Sequence, residues 1–442
     1  MGSSMTGIDG TSSHPDRRSI LKMAGGAAAT VALAGCSTVD GTILRESNIP
    51  SDAIQAGLLT FTEGPGAVLG LQGQRGAEQA VQRINDQGGI AGRREVDLEV
   101  RDESTDAVET YQSFIDDGFD VTFGPVSSGT HQSIAPMIEE NKVINVGTDG
   151  GVTTLYEQTI PDPTYSFRAQ NADVMEVVAA AREAISRLGA DNIDTIGGIN
   201  PNYAFGKGEW ELFRDAMRNL TDVEITTVEF PELTQADMST EVDNLVADPP
   251  DVTFASLWGG DVTTFLETAQ GTGFFEETTA VWPIMYSAAD AMTEELVSGV
   301  DAVLGSRNYY WDYPAIETWP PGEQLYTFAQ QQEGISVPTG HYMSGYAAVT
   351  AWATAVEKAI DLLGEYPTQR QISRVLEGHG FFTPAGYHVI SDDHEARSTT
   401  FIGDLAWDSG REVAVLENVS EWAPKTTSPP PGVSANNWIN DW

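Results

Sequence analysis

One cysteine, Cys36, and five lysines are all that a chain of 442 residues contains of either type. A lone cysteine excludes an intrachain disulfide. His131, His341, His379, His388 and His394 lie far apart and at no metal-ligand spacing, so no zinc or iron–sulfur ligand set is present in the pattern. Positive charge is scarce as a whole: 23 Lys and Arg face 65 Asp and Glu, a formal charge of −42. Such a field repels phosphate backbones and anionic lipid headgroups, which excludes nucleic acid as a partner. No Gly-x-Ser-x-Gly elbow occurs, and the glycines of Gly64-Pro65-Gly66-Ala67-Val68-Leu69-Gly70 miss the dinucleotide spacing. Nothing in the sequence therefore calls for a cofactor or a metal, and an enzyme on a Rossmann-like fold is the weak alternative.

What is present begins with the acids, which are scattered along the chain instead of massed in a tail. Dispersed acid with little lysine reads as the surface of a halophile, because concentrated salt screens the repulsion within a few ångströms. An acidic mesophilic protein is the other reading. At the N-terminus, Arg17-Arg18-Ser19-Ile20-Leu21-Lys22 precedes an apolar run from Met23 to Ala34 and then Leu33-Ala34-Gly35-Cys36. The run is too short for a bilayer core of about 30 Å, so residues 1–36 read as a twin-arginine export signal with a lipobox. Cys36 would become the lipidated first residue, an anchor to the outer face of the cell membrane. Residues 37–51, polar and bearing Gly and Ser, read as a flexible tether.

The 40% hydrophobic content and the length suffice for more than one core. Apolar runs at 54–61, 96–100, 121–123 and 143–146 predict strands, and helical spacing at 72–85, 107–117 and 130–141 separates them. The alternation restarts with a helix over 172–188, then strands at 193–199, 223–229, 252–257 and 280–285, with helices over 207–219, 238–247 and 262–271 between them. Two α/β lobes follow, each a doubly wound parallel sheet. Long helices are expected over 322–333 and 342–363, with 368–377 returning to the first lobe, and a loose tail from Ala423 to Trp442.

In open parallel sheets a ligand sits beyond the carboxyl ends of the strands. That rule selects Gly124-Pro125-Val126-Ser127-Ser128-Gly129-Thr130, where amides, hydroxyls and a helix start converge; these hydroxyls equally read as simple helix caps. It also selects Thr148 and Asp149. A carboxylate at 149 attracts an ammonium or amide donor and repels a free carboxylate unless a cation intervenes; an ordinary turn residue is the alternative. In the second lobe the rule selects Tyr203-Ala204-Phe205-Gly206 and Trp258-Gly259-Gly260-Asp261, aromatics able to cover a small solute.

At these residues, together with Leu69-Gly70, Gly76-Ala77-Glu78, Gly88-Gly89-Ile90-Ala91-Gly92 and Asp102, the chain resembles the branched-chain amino acid and amide type of ABC-transporter solute-binding proteins over about residues 52–420. The resemblance implies a type I periplasmic-binding fold, with lobe 1 from 52–170 plus 305–376, lobe 2 from 171–304 plus 377–422, and three hinge crossings. It implies that Ser127, Ser128, Gly129 and Leu69 meet the ligand in lobe 1 and that Phe205 and Trp258 stand where relatives carry tyrosines. Tyr286 falls nearest the position of an acid that relatives place after the fourth strand of lobe 2. The implied role is a monomeric, non-enzymatic receptor that closes on an amino acid, amide or urea-like solute and delivers it to an ABC permease and its ATPase. A sensory receptor on the same fold is the alternative.

Overall fold

The computed structural model describes residues 48–442, apart from Glu333. The expected export signal, Cys36 and the expected tether as far as Ser47 lie outside the described residues. In chain order the strands are β1 (Ile54–Thr60), β2 (Val96–Asp102), β3 (Val121–Phe123), β4 (Asn145–Gly147), β5 (Ser166–Asn171), β6 (Thr195–Ile199), β7 (Glu224–Glu229), β8 (Val252–Ala255), β9 (Thr279–Trp282), β10 (Ala302–Gly305), β11 (Gly380–Thr383), β12 (Gly386–Ile390), β13 (Glu395–Arg397), β14 (Thr400–Asp408) and β15 (Val413–Trp422). They form two sheets, ordered β11-β12-β13-β5-β4-β3-β1-β2 and β15-β14-β10-β9-β8-β6-β7.

Within each sheet the central pairs are parallel. Strands β3, β4 and β8 are buried along their whole length, as strands between two helical layers must be, and their polar residues Thr122, Asn145 and Thr253 are hydrogen-bonded inside. Register matters for function here. Leu58 pairs with Phe123 and Phe123 with Val146, so the loops after β1, β3 and β4 leave the first sheet side by side. Ile199 pairs with Ala255 and Phe254 with Val281, which does the same for the loops after β6, β8 and β9.

Helices flank both sheets. The helix expected over 72–85 starts earlier, at Ala67, and spans Ala67–Asp86. It crosses the Ala-rich helix Gly340–Leu363 at the small residues that permit close approach: a Cβ on Gly76 would lie 1.9 Å from the carbonyl oxygen of Tyr342, and one on Gly345 2.0 Å from that of Gly73. That contact sets the N-terminus of the second helix, and with it His341, beside the first sheet. Among the described residues no helix is long and apolar enough to cross a membrane.

Three expectations need correction. Segment 377–422 does not belong to one lobe: β11, β12 and β13 extend the first sheet, and only β14 and β15 join the second. The chain accordingly passes between sheets after Asn171, after Gly305 and between Arg397 and Thr400. These crossings are tied together, since Asn171 Nδ2 donates to the Ser398 carbonyl at 3.1 Å, its Oδ1 accepts from the Ser398 amide at 3.0 Å, and Ser306 N–H donates to Phe401 O at 2.9 Å. The tail is not loose either. It forms helices Pro424–Thr427 and Ala435–Asn440, buries Ala435 and Ile439, and sets Trp442 under the Arg182 guanidinium. Finally, the tether ends before Ser51, because Ile49 already packs into the core.

Candidate functional site

Ser127 caps the helix Ser128–Asn141, its Oγ accepting from the Thr130 amide at 3.4 Å. The loop before it is held from beneath. Glu103, the residue after β2, is buried and accepts the Val126 and Ser127 amides at 2.8 Å each. Burial pushes its carboxyl up to about 7, against the pull of those two hydrogen bonds. The amides expected to be free for a ligand are thus partly used inside the protein. What remains are the first helical N–H groups, at Ser128 and Gly129, which have no intrahelical partner.

Beside this loop lies an ionic cluster. Arg307, at the crossing after β10, donates Nη1 to Asp149 Oδ2 at 3.2 Å and Nε to Glu176 Oε1 at 3.0 Å, and its Nη2 lies 3.0 Å from Asp149 Oδ1 in an ion pair. His341 Nε2 lies 2.6 Å from Asp149 Oδ2. All four side chains are buried. Burial acts to raise the Asp149 carboxyl, but Arg307 and His341 outweigh it and hold it below the usual range. For Glu176 burial prevails, with Asp173 and Asp149 adding to it, and lifts the carboxyl to about 8 despite Arg307. Burial also lowers His341, against the opposing pull of Asp149. A neutral imidazole meets a carboxylate only by donating, so the proton sits on Nε2 and Nδ1 is a bare acceptor. These hydrogen bonds use Nε–H and one Nη1–H of Arg307, and leave it further N–H donors on Nη1 and Nη2.

The opposite wall is aromatic. From the second lobe, Trp258 Nε1 donates to the Tyr203 hydroxyl at 3.0 Å, and Phe205 packs on Tyr203 with centroids 5.8 Å apart. Phe61, which follows β1 in the first lobe, stacks on Trp258 at 6.3 Å and 27°. Next to this pair Gly259 has φ +60°, and a Cβ there would stand 2.6 Å from the Pro65 carbonyl oxygen. The two lobes therefore touch across the cleft. The cavity they enclose has a volume of about 30 Å³, room for roughly one water, so this conformation is shut.

Leu69, Ser127, Ser128, Asp149, Tyr203, Phe205 and Trp258 lie on the cavity wall. Gly129 and Thr148 do not; Thr148 turns its hydroxyl to the Pro125 carbonyl at 3.4 Å. Tyr286 must be withdrawn from the site. It is fully buried on the far side of its turn, donates to Ala414 O at 2.9 Å and accepts from Trp311 Nε1 at 2.9 Å. Its neighbours Ile284 and Ser287 line the cavity in its place. Sequence reading also missed Phe61, Arg307 and His341. Phe61 ends a predicted strand run and obeys the same loop rule; Arg307 and His341 carry no local signal. Ser287 Oγ and His341 Nδ1 are buried without a partner, which suits a solute carrying both donors and acceptors. Among the described residues no group of three or more His, Cys, Asp or Glu could hold a metal ion.

A family model described as "Periplasmic binding protein" matches residues 53–411. A Leu/Ile/Val-binding protein of Rhizobium johnstonii is 28% identical over 164 residues, which are 36% of this chain and only 43% of that protein's length. The Leu/Ile/Val-binding protein homolog 3 of Brucella melitensis is 23% identical over 406 residues, 88% of this chain and 97% of its own. Among solved structures, an ABC-transporter solute-binding protein of Rhodopseudomonas palustris in complex with 3,4-dihydroxybenzoic acid superposes with a TM-score of 0.73 at 15% identity, covering 87% of this chain and 99% of that one. An ABC-type branched-chain amino acid transporter protein from the same species gives a TM-score of 0.64 at 22% identity, covering 85% and 98%.

Proposed function

Because the chain belongs to the periplasmic binding protein family, we propose that it is the extracytoplasmic solute receptor of an ABC importer, a non-catalytic monomer that captures a small polar solute by closing two lobes. One observation carries the reading: a single cavity is walled by Arg307, Asp149, Ser128 and His341 on one side and by Tyr203, Phe205 and Trp258 on the other. A solute touching both walls stabilises the shut form over the open one and shifts the population towards it. The Asp149 carboxylate is already matched by a cation, so it does not bar an anionic ligand. The remaining Arg307 N–H groups suit a carboxylate or carbonyl oxygen, and the His341 and Ser287 acceptors suit an amine or amide.

These groups support an amino acid, amide or urea-like solute. The Phe61–Trp258 stack supports a flat solute such as an aromatic acid as a second reading, and one relative was crystallised with such an acid. Titration calorimetry in molar salt with amino acids, amides, urea and hydroxybenzoates separates the two. For whichever solute binds, Trp258→Ala and Ser128→Ala are expected to weaken affinity about ten-fold or more with the far-UV spectrum unchanged; unchanged affinity in both would remove the cavity from the reading. Lipidated Cys36 would hold the receptor at the membrane, next to a permease and ATPase, and Cys36→Ser is expected to release it into the medium.

A further inference from the structure

Next to the solute cavity, and sharing Phe205 with it, is a second cavity of about 70 Å³ lined by Thr153, Glu157, Asp173, Glu209 and Ala435 among others. Glu209 is 1% exposed and neither of its carboxylate oxygens has a hydrogen-bond partner; Asp173 is 4% exposed and its Oδ1 has none. The cations nearby act on Asp173 through their charge but make their hydrogen bonds and ion pairs elsewhere, Arg307 with Asp149 and Glu176, Arg168 with Glu395 and the carbonyls of Gly150 and Val152. Buried carboxylates without partners are costly, and relief comes from a proton or from a cation.

We propose that Asp173, Glu209 and the Thr153 hydroxyl form a binding site for a small monovalent cation. Three orphaned carboxylate oxygens and a hydroxyl make an all-oxygen, hard donor set. Among the described residues no group of three or more His, Cys, Asp or Glu could hold a metal ion, so this pair of carboxylates with a hydroxyl suits an alkali or ammonium ion in preference to a divalent or transition metal. The cavity has room for the ion and about one water. Thr153 belongs to the loop after β4 in the first lobe and Glu209 to the helix Ala204–Leu220 in the second, so an ion held by both draws the lobes together. Burial, with Asp173 beside it, also raises the Glu209 carboxyl well above its ordinary range, and the more distant charge of Arg307 does not offset it.

Thermal unfolding of the full chain without solute tests the site. Choline chloride is replaced by sodium, potassium or ammonium chloride at constant ionic strength, under mildly alkaline conditions where protons compete least. A saturable rise in Tm of several degrees is expected with at least one ion, and Glu209→Gln and Asp173→Asn should each abolish it. A second arm, in choline, adds amino acids: a Glu209-dependent rise there alone would assign the same carboxylates to the ammonium group of the solute. Responses equal in wild type and variants, or none in either arm, overturn the proposal. Should neither variant fold, sodium-23 line broadening by the wild type decides, and broadening that potassium and ammonium both fail to displace also overturns it. Since the first arm contains no solute, failure of the receptor reading leaves its outcome intact.

Discussion

Arg307→Met would leave Asp149 facing only a neutral histidine and Glu176 with only the Gln170 side-chain amide, which donates to its Oε1 at 2.9 Å, inside a region where all are buried. A loss of about 3–5 kcal/mol is expected on breaking such a pair from one side, read by urea denaturation. Adding Asp149→Asn should recover part of it, because the second change removes the stranded charge. Ser128 and Asp149 could be found from sequence since both directly follow predicted strands. Arg307 could not, because its two partners lie 158 and 131 residues away in the chain. Tyr286 fails for a related reason: an aromatic in a turn is assigned to a face only by knowing what packs above it, and here that is β15.

Gly259→Ala tests how the elements meet. It places a side chain at φ +60° and a methyl carbon 2.6 Å from the Pro65 carbonyl oxygen, a combination of backbone strain and clash costing about 1–3 kcal/mol. The clash exists only when the lobes are shut, so binding should weaken by more than unfolding stability falls. Deleting residues 424–442 is expected to cost about 2–4 kcal/mol and to lower Tm in calorimetry, since Ile439 and Ala435 are buried in the second lobe's core. The strands from Ile54 to Trp282 were legible because buried parallel strands give short apolar runs between helical periods, except β5, whose run Ser166–Asn171 is mostly polar and was missed. The strands after Gly380 were not. Phe382 and Tyr387 are 72% and 58% exposed on an edge hairpin, which breaks the link between apolar residue and core, and only Ser398 and Thr399 separate a strand of one sheet from a strand of the other.

For the molecule as a whole, pH dependence is set by carboxyls that folding buries. Glu176 is raised to about 8, and Glu103 and Glu395 to about 7, by burial first. The folded state then binds more protons than the unfolded chain from about pH 5 upward. The stability from these groups is complete below their unfolded values and is lost as pH rises through 7 to 8. Asp149 acts oppositely, giving up its contribution only in acid. Tm at fixed salt is therefore expected to fall between about pH 6 and pH 9; a Tm that climbs across that range would show these carboxyls to be ionised in the native protein.

The three bonded crossings at Asn171, Ser306 and Ser398 act as a fulcrum, and points close to a fulcrum travel least. Arg307 sits there, directly after Ser306, gripping Asp149 and Glu176, whereas Phe61 and Trp258 meet at loop tips that follow β1 and β8. If the lobes open as proposed, the polar anchor would stay assembled while the aromatic gate swings away. A solute would then meet a guanidinium already in place, and the entropy of ordering that anchor would have been spent during folding, before any guest arrived.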